Sequence, residues 1–263
     1  MEKPPQTTST VAERAAETRR RSLGQSMVET AVMLPILLIL IAGIVEIGAL
    51  GNEYMIFHDA AREAARFGAN LDPELTSKYP FDAHNPDDPF PDVRSMSPVQ
   101  LQQMCQEGDT TNFYYEVACL AYQNLPLGRL DWVGNEDDIV ITVVGVKDGR
   151  IVQRWPLPAH KNPLDRAYHF MGADDGDANP TCTITNTENC RCWSFFGVRH
   201  SEFDNETLNQ RLLEEAPATA YVIVEIFHAV PQFTGLFTIG DVIPDPIPTR
   251  PYAIFPVSAA EPK

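Results

Sequence analysis

The apolar residues of this chain are concentrated in one run near its beginning. Residues 31–45 carry no charged side chain, and the apolar segment that continues to residue 50 matches the roughly 20 residues that a helix needs to cross a hydrocarbon core of about 30 Å. The pattern predicts a membrane span over residues 25–51. A buried core helix and a cleavable secretory signal are the alternatives, although Glu29 and the helical sequence after residue 50 fit a secretory signal poorly.

The helical pattern continues beyond the predicted span. Residues 52–70 contain strong helix formers and no proline, which predicts one uninterrupted helix over about 26–70. Ala60, Ala64 and Gly68 recur at four-residue intervals, and small side chains at this spacing let another helix or a sheet approach closely. The high helix propensity of alanine would also explain the two alanines.

The rest of the chain, residues 71–263, predicts a domain of mixed secondary structure. Residues 71–97 are rich in Pro, Asp and Asn and predict an irregular loop. Asp148 and Gly149 separate two β-branched runs, which is a strong hairpin signal. The predicted elements are helices from residue 98, over 112–124 and over 205–215, and strands over 138–146, 150–157, 218–230 and 252–259. Helices followed by antiparallel strands indicate an α+β fold.

Charge divides the chain at the start of the span. Residues 1–24 carry a net charge of +2, so the remainder carries −18 of the total of −16. Basic residues stay on the cytoplasmic side of a span, which predicts that residues 1–24 are a cytoplasmic leader and that residues 71–263 lie outside. Residues 1–21 have little to bury and are expected to be disordered. An acidic domain does not attract phosphate backbones, so we expect no nucleic-acid partner.

All five cysteines follow the predicted span, where an extracytoplasmic compartment would permit disulfides. They are Cys105, Cys119, Cys182, Cys190 and Cys192. Cys105 and Cys119 form a natural local pair that would join the first two short helices of the domain. Cys182 could pair with Cys190 or with Cys192, because connectivity does not follow from sequence.

Two stretches have part of the pattern of a metal site. The oxygen-bearing side chains from Asp175 to Asn179 have the spacing of a calcium loop but lack its glycine and its final glutamate. The three later cysteines lack the paired spacing and the fourth ligand of a zinc site. We therefore expect no metal and no cofactor. No nucleophile, general base and oxyanion donor can be grouped into a catalytic site, so we also expect no enzymatic activity.

A glycine and a glutamate stand directly before the apolar run. Gly24, followed five residues later by Glu29, resembles the class III signal of type IV pilin-like proteins. The wider pattern, GQSMVETAVMLPILLILIAGIVEIG followed by AAREAARFGA, resembles the TadE-like family of minor pilins or pseudopilins from tight-adherence (Flp) pilus systems, over about residues 22–70. The resemblance implies that a prepilin peptidase cuts after Gly24 and leaves Gln25 as the new N-terminus.

Three residues of the predicted span, Glu29, Pro35 and Glu46, interrupt its apolar side chains or its backbone hydrogen bonding. A carboxylate at the bilayer centre costs about 2.5–3.5 kcal/mol, so Glu29 should have a partner or a function. The resemblance implies that it pairs with the new α-ammonium of Gln25 on a neighbouring helix during subunit docking. Alternatively, Glu29 lies among the headgroups and pairs with nothing, which is also our expectation for Glu46 at the outer edge. Pro35 removes a backbone donor and is expected to serve helix packing.

These features together predict a noncatalytic minor-pilin-like or pseudopilin-like component of tight-adherence pilus assembly. The expected location is the cytoplasmic (inner) membrane, crossed once, and the pilus is a second possible location. The expected partners are the membrane, a prepilin peptidase, other pilin-like subunits and the pilus assembly platform. The alternative is a membrane-anchored extracytoplasmic adhesion or binding module that is not incorporated in a pilus.

Overall fold

A computed structural model describes residues 11–73, 93–107, 113–155, 170–171, 191–212, 218–235 and 244–257. The helices in these ranges are α1 (Val11–Gly68), a short 3-10 turn (Val93–Ser95), α2 (Pro98–Glu107), α3 (Phe113–Gln123) and α4 (Asn205–Asn209). The strands are β1 (Asp138–Lys147), β2 (Arg150–Trp155), β3 (Phe170–Met171), β4 (Cys192–Ser194), β5 (Thr219–Val230), β6 (Ile247–Thr249) and β7 (Tyr252–Val257). The predicted α+β class is confirmed.

The sheet is built on two long antiparallel strands, β1 and β5, with Ile141 opposite Val224. The other edge of β1 pairs with β4 near its start and with β2 near its end. The other edge of β5 pairs with β7 and then with β6, and β3 extends the sheet beyond β4. β1 and β2 form the predicted hairpin, and Asp148 and Gly149 both take the positive φ values that such a tight turn requires.

Both faces of the central strands are covered. Alternate residues of β1 and β5 point to the main core, which also contains the second half of α1 and most of α3. The residues between them point to a smaller cluster formed by Val144, Ile223, Phe203 and Leu208. This burial on both faces explains why these strands read as nearly continuous apolar runs in the sequence.

The chain divides into two compact units. One contains residues 1–49 and 232–243, and the other contains residues 50–231 and 244–263. The first includes the apolar half of α1. The second includes the sheet, the remaining helices and the main core.

Several predicted elements were wrong in extent or were missed. α1 begins at Val11, so the part of the leader from that residue onward is helical rather than disordered, consistent with its content of Ala, Glu and Arg. α4 covers only five residues, although a helix to residue 215 was predicted. β3, β4 and β6 were not predicted, because two or three residues are too few to show an alternating pattern.

Candidate assembly segment

The apolar half of α1 leaves its large side chains exposed. Met27 is 77% exposed, Ile44 is 71% exposed, and the aliphatic residues between them are similarly open. A stripe of this length is unusual on a soluble monomer, whose exposed apolar patches are small. By length and composition, Met27–Gly68 is the one candidate membrane helix among the described residues, and its position near the N-terminus agrees with a single-pass protein.

The predicted processing residues are part of this helix. Gly24 and Gln25 fall within α1, and Glu29 follows Gln25 by four residues, which corresponds to about 6 Å along the helix axis. Glu29 is exposed. The helix continues through Pro35, whose missing N–H removes the intrahelical donor to the carbonyl of Ala31.

Glu46 was expected to pair with nothing, but its carboxylate is buried and accepts hydrogen bonds. Its side chain is 4% exposed. One carboxylate oxygen accepts the backbone N–H of Phe233 at 2.7 Å, and the other accepts both the backbone N–H and the hydroxyl of Thr234, each at 2.7 Å. The partner residues follow β5 and lie far away in sequence, so no local pattern could have identified them.

The small residues at four-residue intervals are buried in the core of their own chain. Ala60, Ala64 and Gly68 are all buried. A Cβ added at Gly68 would lie 2.9 Å from Cγ2 of Val117 on α3 and 3.3 Å from Cγ1 of Val222 on β5. The close approach that their spacing predicts is therefore to elements of the same chain.

A polar cluster accompanies this packing at the end of β5. His228 Nδ1 lies 2.8 Å from a carboxylate oxygen of Asp137, and its Nε2 lies 3.6 Å from Glu53 Oε1 on α1. Arg129 Nη1 is 3.3 Å from the same oxygen of Glu53. The cluster therefore contains groups of both signs, which lowers the electrostatic cost of burying Glu53 and Asp137.

Asp138, at the start of β1, is fully buried and organises the segment after β4. Its carboxylate accepts the Ser194 hydroxyl and four backbone amides, those of Ile139, Phe196, Val198 and Arg199. Burial raises the pKa of Asp138, although the hydrogen bonds from the Ser194 hydroxyl and from the amides oppose this shift. One carboxylate thus fixes the backbone of residues 194–199.

Glu225, in the middle of β5, has a related role for the residues that follow. It accepts the Ser201 hydroxyl and the Glu202 amide, and it pairs with Arg250 at 2.7 Å. Burial raises the pKa of Glu225, and the contacts with Ser201 and Arg250 oppose that shift. Glu225 was not predicted as a site residue, although an acidic residue inside an otherwise apolar strand run is a signal of such a role.

The structure joins Cys105 on α2 to Cys119 on α3 in a disulfide. Cys192 on β4 is buried, and its sulfur accepts the backbone N–H of Ser201 at 3.2 Å. Burial raises the pKa of the Cys192 thiol, which disfavours the nucleophilic thiolate form. Cys182, which was predicted to pair with Cys190 or with Cys192, lies outside the described residues, as does Cys190.

The acidic stretch considered as a calcium loop, from Asp175 to Asn179, also lies outside the described residues. Within the ranges that the structure describes, no group of three or more His, Cys, Asp or Glu side chains is arranged to hold a metal ion.

Residues 24–66 match the family model of TadE-like proteins. This match confirms the family resemblance seen in the sequence, and it begins at Gly24, the predicted processing residue. It covers Glu29, Pro35, Glu46, Ala60 and Ala64 but none of the sheet. No curated protein and no solved structure showed significant similarity to the chain.

Proposed function

We propose that this chain, whose residues 24–66 form a TadE-like segment, is a noncatalytic minor-pilin-like or pseudopilin-like component of tight-adherence pilus assembly. The observation that carries the proposal is the family match over the exposed apolar half of α1. In this proposal the chain crosses the cytoplasmic membrane once, with the leader inside and the domain outside. Its partners are a prepilin peptidase, other pilin-like subunits and the assembly platform.

Processing would begin with hydrolysis of the peptide bond between Gly24 and Gln25. Water adds across that bond, so the leader leaves with a carboxylate on Gly24 and the retained chain begins with the amino group of Gln25. This α-amino group has an ordinary pKa of about 7.7–8.0 and is mostly protonated at neutral pH. Glycine has no side chain before the scissile bond, which favours access by a peptidase at the membrane surface.

The new ammonium would be an oppositely charged group that can pair with Glu29. A carboxylate near the hydrocarbon costs a few kcal/mol when it has no partner, and an opposite charge removes much of that cost. When two processed helices pack side by side, the ammonium of one can pair with Glu29 of the next. The same packing covers the exposed apolar side chains of α1, so charge pairing sets the register while van der Waals contact supplies the association.

The second half of α1 has a different task in this proposal. Phe57, Ala60 and Ala64 belong to the main core of the domain, so they are not available to neighbouring subunits. Lateral packing between subunits is therefore assigned to the residues from Gln25 to about residue 50. The domain presents its acidic surface to the outside.

The processing step is tested by intact-mass measurement of the membrane-bound chain in cells that contain a prepilin peptidase. We expect the mass to correspond to loss of residues 1–24 and Gly24→Val to keep the leader, because a branched side chain blocks access to the bond. Gly48→Val is the matched control, since it introduces the same side chain elsewhere on α1 in open space and should be processed normally. A chain that retains Met1, or that is cut beyond residue 50, contradicts the proposal.

The role of Glu29 is tested by comparing Glu29→Ala with Asp59→Ala. Asp59 is an exposed acid on the second half of α1, outside the proposed packing surface. Both variants should insert in the membrane, but only Glu29→Ala should reduce piliation and subunit cross-linking. Normal piliation in that variant would remove the role assigned to the carboxylate. Normal piliation after deletion of the whole chain would favour the anchored binding module.

A further inference from the structure

The loop that follows β5 has an exposed aromatic residue beside the apolar half of α1. Phe233 is 76% exposed, whereas most aromatic side chains among the described residues are buried. It belongs to the same compact unit as residues 1–49. We refer to residues 232–235 as the Glu46 loop, because their backbone is held by the Glu46 carboxylate.

The contacts of the Glu46 loop fix its backbone to α1. Two backbone N–H groups and one hydroxyl, from Phe233 and Thr234, converge on the two oxygens of Glu46 at 2.7 Å. Gly235 then takes a φ of 61°, a left-handed value that glycine adopts without strain and that turns the chain. These hydrogen bonds attach the loop to α1, so the contact is more than an incidental approach of two surfaces.

The position of Glu46 on α1 places this attachment at the outer boundary of the span. A helix rises 1.5 Å per residue, so Glu46 lies about 6 Å before residue 50, where the apolar segment ends. A carboxylate at that depth has few water molecules available, and the loop supplies the donors that water would provide. Glu46 can therefore stay at the edge of the hydrocarbon only with the loop beside it.

The chemistry of the loop suits a lipid surface. Residues 229–240 contain no charged side chain, although the chain after residue 24 carries a net charge of −18. An exposed phenyl ring on an uncharged loop gains free energy when it enters the boundary between headgroups and acyl chains. Acidic segments, in contrast, are repelled by anionic lipids.

We infer that the Glu46 loop is a second membrane contact, in which Phe233 inserts at the outer headgroup boundary while Glu46 holds the loop against α1. The inference rests on the proposed membrane span of α1 and goes beyond it, because it assigns lipid contact to a segment that follows the fifth strand. The occupant of this surface is the bilayer that α1 itself is proposed to cross. The test must distinguish this lipid contact from contact with a second protein.

The test uses the full-length chain in phosphatidylcholine vesicles with and without brominated acyl chains, since bromine quenches tryptophan fluorescence on contact. The three variants are Phe233→Trp, Ile39→Trp and Val133→Trp, each corrected for the emission of the wild-type tryptophans. Ile39 is an exposed residue of the apolar half of α1, and Val133 is an 81% exposed residue of the domain. We expect bromolipid to quench the added tryptophan at residues 39 and 233 and not at residue 133.

The outcomes separate this inference from the proposed function. Quenching at residue 39 without quenching at residue 233 leaves the span in place and overturns the second contact. Absence of quenching at residue 39 means that α1 does not enter the bilayer, and both proposals then fail. Equal quenching at residues 233 and 133 shows contact that is not specific to the loop and also overturns the inference.

The role of Glu46 in holding the loop is tested by adding Glu46→Ala to the Phe233→Trp and Ile39→Trp variants. Loss of the carboxylate frees the loop, so quenching at residue 233 should be lost while quenching at residue 39 is retained. Retained quenching at residue 233 would overturn the role of Glu46. Protection of residue 233 from aqueous quenchers only when other membrane proteins are present would assign the surface to a protein instead of lipid.

Discussion

The ring of Phe57 stacks on the imidazole of His228, with their centroids 4.1 Å apart and their planes inclined by 16°. Phe57 comes from α1 and His228 from the end of β5, and both are buried. The Nδ1 atom of the imidazole also lies 2.8 Å from a carboxylate oxygen of Asp137, which helps to fix the orientation of the ring. This stacked pair fixes the second half of α1 against one end of the sheet.

Truncation of Phe57 should therefore destabilise the domain. We expect Phe57→Ala to lower the free energy of unfolding by about 3–5 kcal/mol, as is usual for a buried phenylalanine. Phe67→Ala removes a ring from the same helix at a partly exposed position and should cost about 1 kcal/mol or less. Urea unfolding of the full chain in detergent micelles, followed by tryptophan fluorescence, measures both. Equal effects would contradict the importance of the stacked pair.

Gly68 and Gly51 should respond oppositely to alanine, although both lie on α1. At Gly68 the new methyl group would lie 2.9 Å from Val117, so Gly68→Ala should cost about 1–3 kcal/mol through overpacking. At Gly51 nothing lies within 4 Å, and the higher helix propensity of alanine should stabilise the helix by up to about 1 kcal/mol. The same unfolding experiment measures the difference. A neutral Gly68→Ala would show that α1 and α3 approach less closely than described.

The buried tyrosines of α3 should make the domain sensitive to alkaline pH. Burial raises the pKa of Tyr114, Tyr115 and Tyr122 above the ordinary value of 10.0. Their stabilising contribution is complete below pH 10, where both states are protonated. As the pH rises above 10, the unfolded state loses these protons first, so each tyrosine lowers the free energy of unfolding by about 1.4 kcal/mol per pH unit up to its folded pKa.

Removing one of these hydroxyl groups should weaken that dependence. We expect Tyr115→Phe to unfold at a higher pH than the wild type, with phenolate absorbance and circular dichroism as the readouts. Tyr54→Phe removes a phenol that is 39% exposed on α1, and it should leave the alkaline transition unchanged. A transition that moves equally in both variants would indicate a general effect of losing a phenol instead of burial on α3.

The elements with long local patterns were predictable from the sequence. The apolar and alanine-rich pattern of α1, the Pro98 start of α2 and the hairpin at Asp148 and Gly149 are all encoded within a few residues. β4 and β6 are different, because three residues form a strand there only through pairing with β1 and β5. Such pairing depends on distant parts of the chain and leaves no periodic signal of its own.

In the candidate assembly segment, too, local patterns could be predicted and long-range contacts could not. The family segment could be recognised from Gly24, Glu29 and the apolar run, and its match to residues 24–66 confirms the resemblance. The partners of Glu46 could not be recognised, because they follow β5 in sequence. The spacing of Ala60, Ala64 and Gly68 predicted a close approach by another element, but the sequence did not identify Val117 of α3 and Val222 of β5 as the neighbours of Gly68.

The way in which Asp138 holds residues 194–199 has a consequence for how this region can diversify. Phe196, Val198 and Arg199 bind the carboxylate through their backbone amides, which every residue except proline possesses. The hydrogen bonds from residues 198 and 199 to this carboxylate thus do not depend on which side chains stand there, although Val198 also packs against the main core and Arg199 pairs with Glu136. Any replacement except proline keeps the amide that the carboxylate binds, so sequence change at these two positions need not release the loop from Asp138.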